Sequence, residues 1–262
     1  MKPLIRNIVV FALVSMGMTL PASAGSNANA EPQFEAQQIV DFAKKVEKTV
    51  AARGARVIIL ARAGRPASEL PPGFHYTHVA FGVYSMIRTS DGRTVPGYAI
   101  YNLYQREKEP KVSDLVVDYP VDFFAGVYEL KTSVIIPKPA LQARLLQVIG
   151  SDTYRKLHNP HYSVLANPYN SRYQNCTEHT LDVINAAIYR TNDIDVIKED
   201  ERAYFKAQKV DINPFKLLYG SITMPDMTLA DQKGPVRTAS YTTIANYLKK
   251  YDLVQEELVI TQ

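Results

Sequence analysis

The chain has 262 residues, of which 46% are hydrophobic and 21% are charged, and its formal net charge is +4 at pH 7. This length suits one domain or slightly more, and the hydrophobic content supports a core that needs no disulfide. The small positive charge, without a block of basic residues, does not favour a nucleic-acid-binding protein. Cys176 is the single cysteine, so no disulfide can form within the chain.

The N-terminal residues have the pattern of a secretory signal peptide. Lys2 and Arg6 precede the apolar run IVVFALVSMGM, and TLPASA provides a small-x-small cleavage site after Ala24. The run is shorter than the about twenty apolar residues that a membrane span needs. We therefore expect residues 1–24 to be cleaved and the mature chain, of formal charge +2, to be periplasmic or secreted without a transmembrane segment.

The mature chain is predicted to consist of a linker, residues 25–33, and a single α+β domain, residues 34–262, that includes a C-terminal helix. Helical spacing predicts a first helix in FEAQQIVDFAKKVEKTVAARG, and ARVIILARAG has the branched residues of a buried strand. The pair Asp91-Gly92 predicts a hairpin between HYTHVAFGVYSMI and VPGYAIYNLYQ. Further along, DLVVDYPVDFFAGVYELKTSVIIP looks strand-like or irregular, ALQARLLQVIG and TASYTTIANYLKKYDL helical, and ELVI strand-like. This set of elements indicates an antiparallel sheet with packed helices.

Cys176 lies where the sequence predicts the start of a helix. With Asn175 as N-cap, Glu178 falls at the third helical position, as in a capping box. Leu181 and Ile184 follow at a spacing that buries one side of the helix. The positive end of a helix stabilises a thiolate, so Cys176 is a candidate nucleophile. The alternative is a small buried core residue.

A thiol nucleophile needs a base, and His78 in THVAFGVY is the candidate. Strand alternation puts His78, Ala80 and Gly82 on one face, where the small side chains leave room for a helix end or a substrate. The alternative is a structural histidine. His179 lies about one turn after Cys176 and is predicted to be a polar surface residue or to support the site.

His158 and His161 raise the alternative of a metal site. No nearby carboxylate or cysteine completes a zinc pattern of recognised spacing. We therefore predict neither a metal nor a cofactor.

A strand-borne histidine in HVAF, followed much later by a cysteine at a helix start, resembles the circularly permuted NlpC-type branch of papain-like enzymes. More narrowly, GARVIILARAGRPASELPPGFHYTHVAFGVYS, GRTVPGYAIYNLYQ, DFFAGVYE and NCTEHTLDVINAAIY resemble an exported bacterial family, domain of unknown function 2145. The resemblance covers most of the mature chain. It implies a papain-like antiparallel sheet packed against the helix that carries Cys176.

The resemblance also implies roles for particular residues. Cys176 would be the nucleophile and His78 the base, with Asn102 in GYAIYNLYQ as the group that orients the imidazole. Tyr98 and Tyr104 share the face of Asn102 by alternation and are predicted to line the cleft. The alternative for both tyrosines is aromatic packing in the core.

The implied chemistry is acyl transfer. The thiolate would attack an amide or ester carbonyl, with the backbone N–H of Cys176 as one oxyanion donor and Gln174 as a second. The predicted function is therefore a periplasmic cysteine hydrolase or acyltransferase with a peptide, cell-wall or lipid acyl substrate. The alternative is a non-catalytic module that binds a peptide or lipid in the same cleft.

Overall fold

The structure is a computed structural model that describes residues 31–89 and 91–262. The predicted signal peptide, residues 1–24, lies outside the described residues. Among the described helices, none has the length and apolar character needed to cross a membrane.

The described residues form helices and strands in mixed order. The helices are Ala36–Ala51 (α1), Pro120–Ala125 (α2), Pro139–Ile149 (α3), Asp152–Lys156 (α4), Cys176–Tyr189 (α5), Ile194–Tyr204 (α6), Pro214–Thr223 (α7) and Tyr241–Lys250 (α8). The strands are Val57–Arg62 (β1), His78–Arg88 (β2), Thr94–Gln105 (β3), Ser113–Asp118 (β4), Lys131–Pro137 (β5), Gln208–Lys209 (β6), Arg237–Thr238 (β7) and Val254–Thr261 (β8).

Six strands form an antiparallel sheet in the order β4-β3-β2-β1-β5-β8, and β6 pairs with β7 in a separate ribbon. This confirms the predicted α+β class with an antiparallel sheet. Strand β8, the last strand in the chain, pairs with β5 and forms one edge of the sheet.

Helices cover both faces of the sheet, because side chains alternate along each strand. The face that packs against α1 and α2, here called the α1 face, carries Ile58, Leu60, Ala80 and Ile100. The face that packs against α3, α5 and α8, here called the α5 face, carries Val57, Ile59, Val79 and Phe81. Each face therefore has its own buried apolar layer.

Local sequence signals account for the hairpin between β2 and β3. The backbone N–H of Thr89 donates to the carbonyl of Arg93 at 2.9 Å. Gly92 has φ +84°, a conformation that a residue without Cβ adopts at little cost. The predicted hairpin at Asp91-Gly92 is confirmed.

The start of α5 is also as predicted, with one difference. Asn175 accepts the backbone N–H of Glu178 at 2.9 Å through its side-chain oxygen, which fixes Cys176 as the first helical residue. The Glu178 side chain does not complete a capping box. It accepts instead from Lys198 Nζ at 2.9 Å, because α6 brings that ammonium group against a buried side of α5.

Four helices differ from the sequence expectation. The segment predicted to be strand-like or irregular contains α2, which begins with Pro120 at its first turn. Helices α4, α6 and α7 were not predicted. The buried side of α6 includes charged residues, so apolar periodicity alone does not reveal it.

Candidate active site

His78 is the first residue of β2, and its ring is enclosed by aromatic side chains. The ring stacks on Tyr104 with centroids 4.8 Å apart and lies 5.6 Å from the ring of Phe123 in α2. Only 1% of His78 is exposed. Tyr104, predicted to line a cleft, is therefore a packing partner of the candidate base.

Hydrogen bonds fix the orientation of Asn102 and the tautomer of His78. The Asn102 Nδ2 group donates to Asp118 Oδ1 at 2.8 Å and to the carbonyl of Ile100 at 3.1 Å. Both partners only accept, so the Oδ1 atom of Asn102 must face His78 Nε2, 2.9 Å away. Nε2 then carries the proton and Nδ1 the lone pair. Nδ1 is buried and has no hydrogen-bond partner.

Asp118 at the end of β4 completes this network, and sequence reasoning missed it. Tyr104 donates its hydroxyl to Asp118 Oδ2 at 3.0 Å. Burial raises the pKa of the Asp118 carboxyl to about 6, although the hydrogen bonds from Tyr104 and Asn102 lower it. No local sequence signal could have found it, because only the register of β4 on β3 places Asp118 beside Asn102.

The charge beside the imidazole comes from Arg62, which pairs with His78 across β1 and β2. Its guanidinium donates to the carbonyl of Phe123 and lies 5.7 Å from the ring centroid of Tyr104. Burial and, to a lesser extent, the Arg62 charge lower the pKa of His78 to about 3. The imidazole is therefore neutral at pH 7, with the lone pair on Nδ1.

Cys176 reaches the same end of the sheet from α5. It is 5% exposed and packs in a small cluster with Leu103 of β3 and Tyr162. Cys176 also acts electrostatically on Tyr104: the pKa of the Tyr104 hydroxyl is raised mainly by burial and to a minor extent by Cys176. Tyr104 thus stacks on the His78 ring and is also within electrostatic range of Cys176.

The face of the sheet that α5 covers is not the face that the sequence predicted. Helix α5 packs on the α5 face, with Val79 and Phe81, and not on the face that His78 shares with Ala80. The room expected beside Gly82 is filled, since a Cβ there would lie 2.7 Å from a side-chain carbon of Ile58. Consistent with this, no hydrogen bond joins His78 Nδ1 to Cys176.

Gln174 does not provide an oxyanion donor. Its side-chain N–H groups donate to the carbonyl of Leu157 at 2.9 Å and to Asp182 Oδ2 at 2.7 Å. Its backbone N–H donates to the carbonyl of His161. All the donors of Gln174 are therefore occupied, and the residue anchors the loop before α5.

Tyr98 lies away from the candidate site. It is 2% exposed and donates its hydroxyl to the carbonyl of Ala55, on the side of the sheet where α1 packs. Of the two readings of this residue from the sequence, the structure supports core packing. Strand β3 is long enough that residues of one face contact different neighbours at its two ends.

The other histidines are held by local contacts. His179 is buried rather than on the surface, and its Nε2 lies 3.3 Å from the carbonyl of Tyr154. His158 Nε2 lies 3.0 Å from Ser113 Oγ, and His161 Nδ1 lies 3.0 Å from Asn159 Oδ1. Within the described part of the chain, no three His, Cys, Asp or Glu side chains are grouped to hold a metal.

An apolar cavity of ≈ 280 Å³ is lined by chain neighbours of the candidate residues. Its lining includes Thr77 and Thr177, the chain neighbours of His78 and Cys176, and Val164, which also packs against the cluster of Cys176. Its other apolar lining residues include Leu70, Phe74, Leu165, Ile212, Met224 and Met227, and its charged lining residues are Arg65 and Glu69. A mostly apolar cavity with a few polar groups is typical of a ligand site.

Comparison with known proteins identifies a family but no activity. A family model described as uncharacterized protein conserved in bacteria (DUF2145) matches residues 49–248, which is most of the chain. No curated protein and no solved structure matches the chain.

Proposed function

We propose that this chain, which belongs to the DUF2145 family, is an exported cysteine-dependent hydrolase or acyltransferase. In this proposal Cys176 is the nucleophile, His78 the base, and Asn102 the group that orients the base. The fold would be a circularly permuted NlpC-type papain-like fold, since the histidine strand β2 precedes the cysteine helix α5. Residues 1–24 would direct the chain to the periplasm or outside the cell.

The observation that carries the proposal is the hydrogen-bonding state of His78. Asn102 holds the proton on Nε2, so Nδ1 carries a lone pair. Nδ1 is buried and receives no hydrogen bond from a donor. A buried polar atom without a partner costs free energy, and such atoms are often retained for function. His78 therefore has a fixed tautomer with its lone pair on Nδ1, and it lies at the end of the sheet that Cys176 also reaches. This arrangement supports a role for His78 as general base.

The proposed reaction proceeds through a neutral imidazole. Nδ1 of His78 takes the thiol proton while the sulfur of Cys176 bonds to the carbonyl carbon of an amide or ester. The same proton passes to the leaving nitrogen or oxygen as that bond breaks, which leaves a thioester. Water or an acceptor hydroxyl then attacks the thioester, and its proton returns through Nδ1 to the sulfur.

Proton transfer requires the Cys176 sulfur to lie within hydrogen-bond reach of His78 Nδ1 in the substrate complex. Catalytic hydrogen bonds are often long in a structure without substrate and shorten in the complex. The backbone N–H of Cys176, in the first turn of α5, is the proposed oxyanion donor because N–H groups of that turn lie outside the intrahelical ladder.

The test is the reactivity of the single cysteine. We expect hydrolysis of p-nitrophenyl acetate to be lost in Cys176→Ala and to fall by about a hundredfold in His78→Ala. Alkylation of Cys176 by iodoacetamide should also slow in His78→Ala. His161→Ala is the matched control, because His161 is exposed and its side chain contacts only Asn159 among the described side-chain hydrogen bonds. Alkylation that is slow and indifferent to His78 would contradict the proposal.

A non-catalytic binding module is the second candidate. It is favoured by the mostly apolar cavity, whose lining includes Thr77 and Thr177, the chain neighbours of His78 and Cys176. This function predicts ligand binding that survives both Cys176→Ala and His78→Ala.

A further inference from the structure

Helix α7 carries large apolar side chains on the side that faces away from the core. Phe215 and Ile222 are 82% and 76% exposed, and Leu218 and Tyr219 are 56% and 57% exposed. These four positions follow the i, i+3, i+4, i+7 spacing and form one stripe, here called the α7 stripe. An exposed apolar patch of this kind marks an interaction surface.

The opposite side of α7 packs over the apolar cavity. Leu217 is buried in one cluster with Leu165, a residue that lines the cavity. At Gly220, an added Cβ would lie 2.9 Å from Met227 Sδ, and Met227 is also a lining residue. The helix therefore has one side in solvent and the other against the cavity wall.

The charges near the α7 stripe are mainly positive. The exposed charged residues of the segment 205–223 are Lys206, Lys209, Asp211 and Lys216. A second cavity of ≈ 430 Å³ is lined by Lys206, Lys209, Arg237 and Lys250, with no acidic side chain among its described lining residues. Apolar side chains flanked by lysines are the composition of a helix that lies on an anionic lipid surface.

We propose that the α7 stripe docks on an anionic membrane surface and that the apolar cavity receives an acyl chain of a lipid substrate. This rests on the proposed function for its catalytic step, but the docking and the acyl binding do not require that step. A protein partner or a second copy of the chain would cover the α7 stripe without using the cavity. An acyl chain that leaves the membrane along α7 occupies both and places its carboxyl end near Thr77 and Thr177.

Vesicle flotation tests the docking. Wild type and Cys176→Ala should float equally with vesicles of phosphatidylcholine and phosphatidylglycerol. Loss of two apolar side chains in Phe215→Ser/Ile222→Ser should lower the vesicle-bound fraction about tenfold or more. The control Met86→Ser/Val259→Ser removes apolar side chains that are 65% and 61% exposed elsewhere and should bind as wild type. All variants carry the same residues 1–30, so any difference reports on the substituted surface.

Equal flotation of the two double variants would overturn the docking. So would a wild-type dimer that Phe215→Ser/Ile222→Ser dissociates in analytical ultracentrifugation, because the α7 stripe would then be a self-association surface. Binding to pure phosphatidylcholine as tight as to the anionic vesicles would contradict the role of the lysines.

A fluorescent fatty acid, dansyl-undecanoic acid, tests the cavity in the Cys176→Ala chain. We expect saturable binding that weakens about tenfold in Met227→Trp, since the larger ring fills the cavity. Binding unaffected by Met227→Trp would overturn the acyl assignment. Loss of ester hydrolysis in every assay, with vesicle and fatty-acid binding intact, would instead overturn only the catalytic function.

Discussion

Asp118 accepts the side-chain amide of Asn102 at 2.8 Å and thereby determines which atom of Asn102 faces His78. The same carboxylate accepts the hydroxyl of Tyr104, whose ring stacks on the imidazole. One side chain at the end of β4 thus positions the two groups that hold the candidate base. Asp118 contacts neither His78 nor Cys176 through a described hydrogen bond, so its role is that of a positioning residue.

Removal of the amide at position 102 should free the imidazole. In Asn102→Ala, His78 Nε2 loses its acceptor, and we expect cysteine-dependent ester hydrolysis to fall about 10- to 100-fold. The substrate KM should change little, because Asn102 contacts Nε2 of His78 and not Nδ1, the atom proposed to take the thiol proton. Tyr98→Phe is the control on the same strand and face, since it removes a hydroxyl that donates to Ala55. A similar loss of activity in both variants would indicate a general effect of strand stability.

The pH dependence of stability should reveal Asp118. Because burial raises its pKa to about 6, the native state binds this proton more tightly than the unfolded chain does. The contribution of Asp118 to the free energy of unfolding therefore falls as pH rises from about 4 to about 6 and is constant above. Urea unfolding of Asp118→Asn should lack this decline.

Asp114→Asn provides the control for that series. Hydrogen bonds from Arg106 lower the pKa of Asp114, so its contribution changes only below the unfolded value of about 3.9. The slope between pH 4 and pH 6 should therefore match wild type in Asp114→Asn. An equal change of slope in both variants would contradict the assignment to Asp118.

Gln174 should affect stability rather than catalysis. Gln174→Ala leaves the carbonyl of Leu157, a carboxylate oxygen of Asp182 and the backbone N–H of Asn159 without this partner. We expect a loss of about 2 kcal/mol or more in the free energy of unfolding, measured in urea. At temperatures where the variant is folded, kcat should stay within about twofold of wild type. A large fall in kcat at unchanged stability would restore Gln174 as an oxyanion donor.

A buried ionic cluster anchors α5 to α6. Lys198 Nζ lies 2.9 Å from Glu178, 2.5 Å from Asp182 and 3.1 Å from Glu201, and all four side chains are at most 3% exposed. Lys198→Met leaves three buried acidic groups without their cation, so we expect a loss of about 3–5 kcal/mol. Burial already raises the pKa of Glu178 and Glu201, and loss of the Lys198 charge raises both further. The free energy of unfolding of Lys198→Met should therefore fall more steeply with rising pH than that of wild type.

The matched control for the cluster is Lys138→Ala, which breaks an exposed ion pair with Asp252. That change should cost less than about 1 kcal/mol, because exposed pairs gain little over hydration. Equal effects of Lys198→Met and Lys138→Ala would mean that the buried cluster contributes no special stability.

Several features follow from the sequence because their causes are local. Asn175 caps α5 through a bond to a residue three positions away, and Gly92 adopts the positive φ that a tight hairpin requires. The family resemblance paired Asn102 with His78, and Asn102 Oδ1 lies 2.9 Å from His78 Nε2. Their catalytic role stays a prediction, as does the signal peptide in residues 1–24.

Other features depend on partners far away in the chain. No local pattern relates Asp118 to Asn102, Lys198 to Glu178, or Gln174 to Asp182, because strand register and helix packing create those pairs. The same reason explains why Tyr98 and Tyr104, equivalent by alternation, contact different surroundings.

The sequence by itself determined the antiparallel α+β class, the hairpin and the helix that begins at Cys176. These features have local causes: backbone preferences, the two-residue alternation of strands and the 3.6-residue periodicity of helices all act over a few residues. Only the tertiary structure decided that α5 packs on the face opposite to His78, and that the His78 ring stacks on Tyr104. Which helix covers which face depends on the packing of the whole core, with Ile58 and Ile100 on one side and Phe81 and Ile184 on the other.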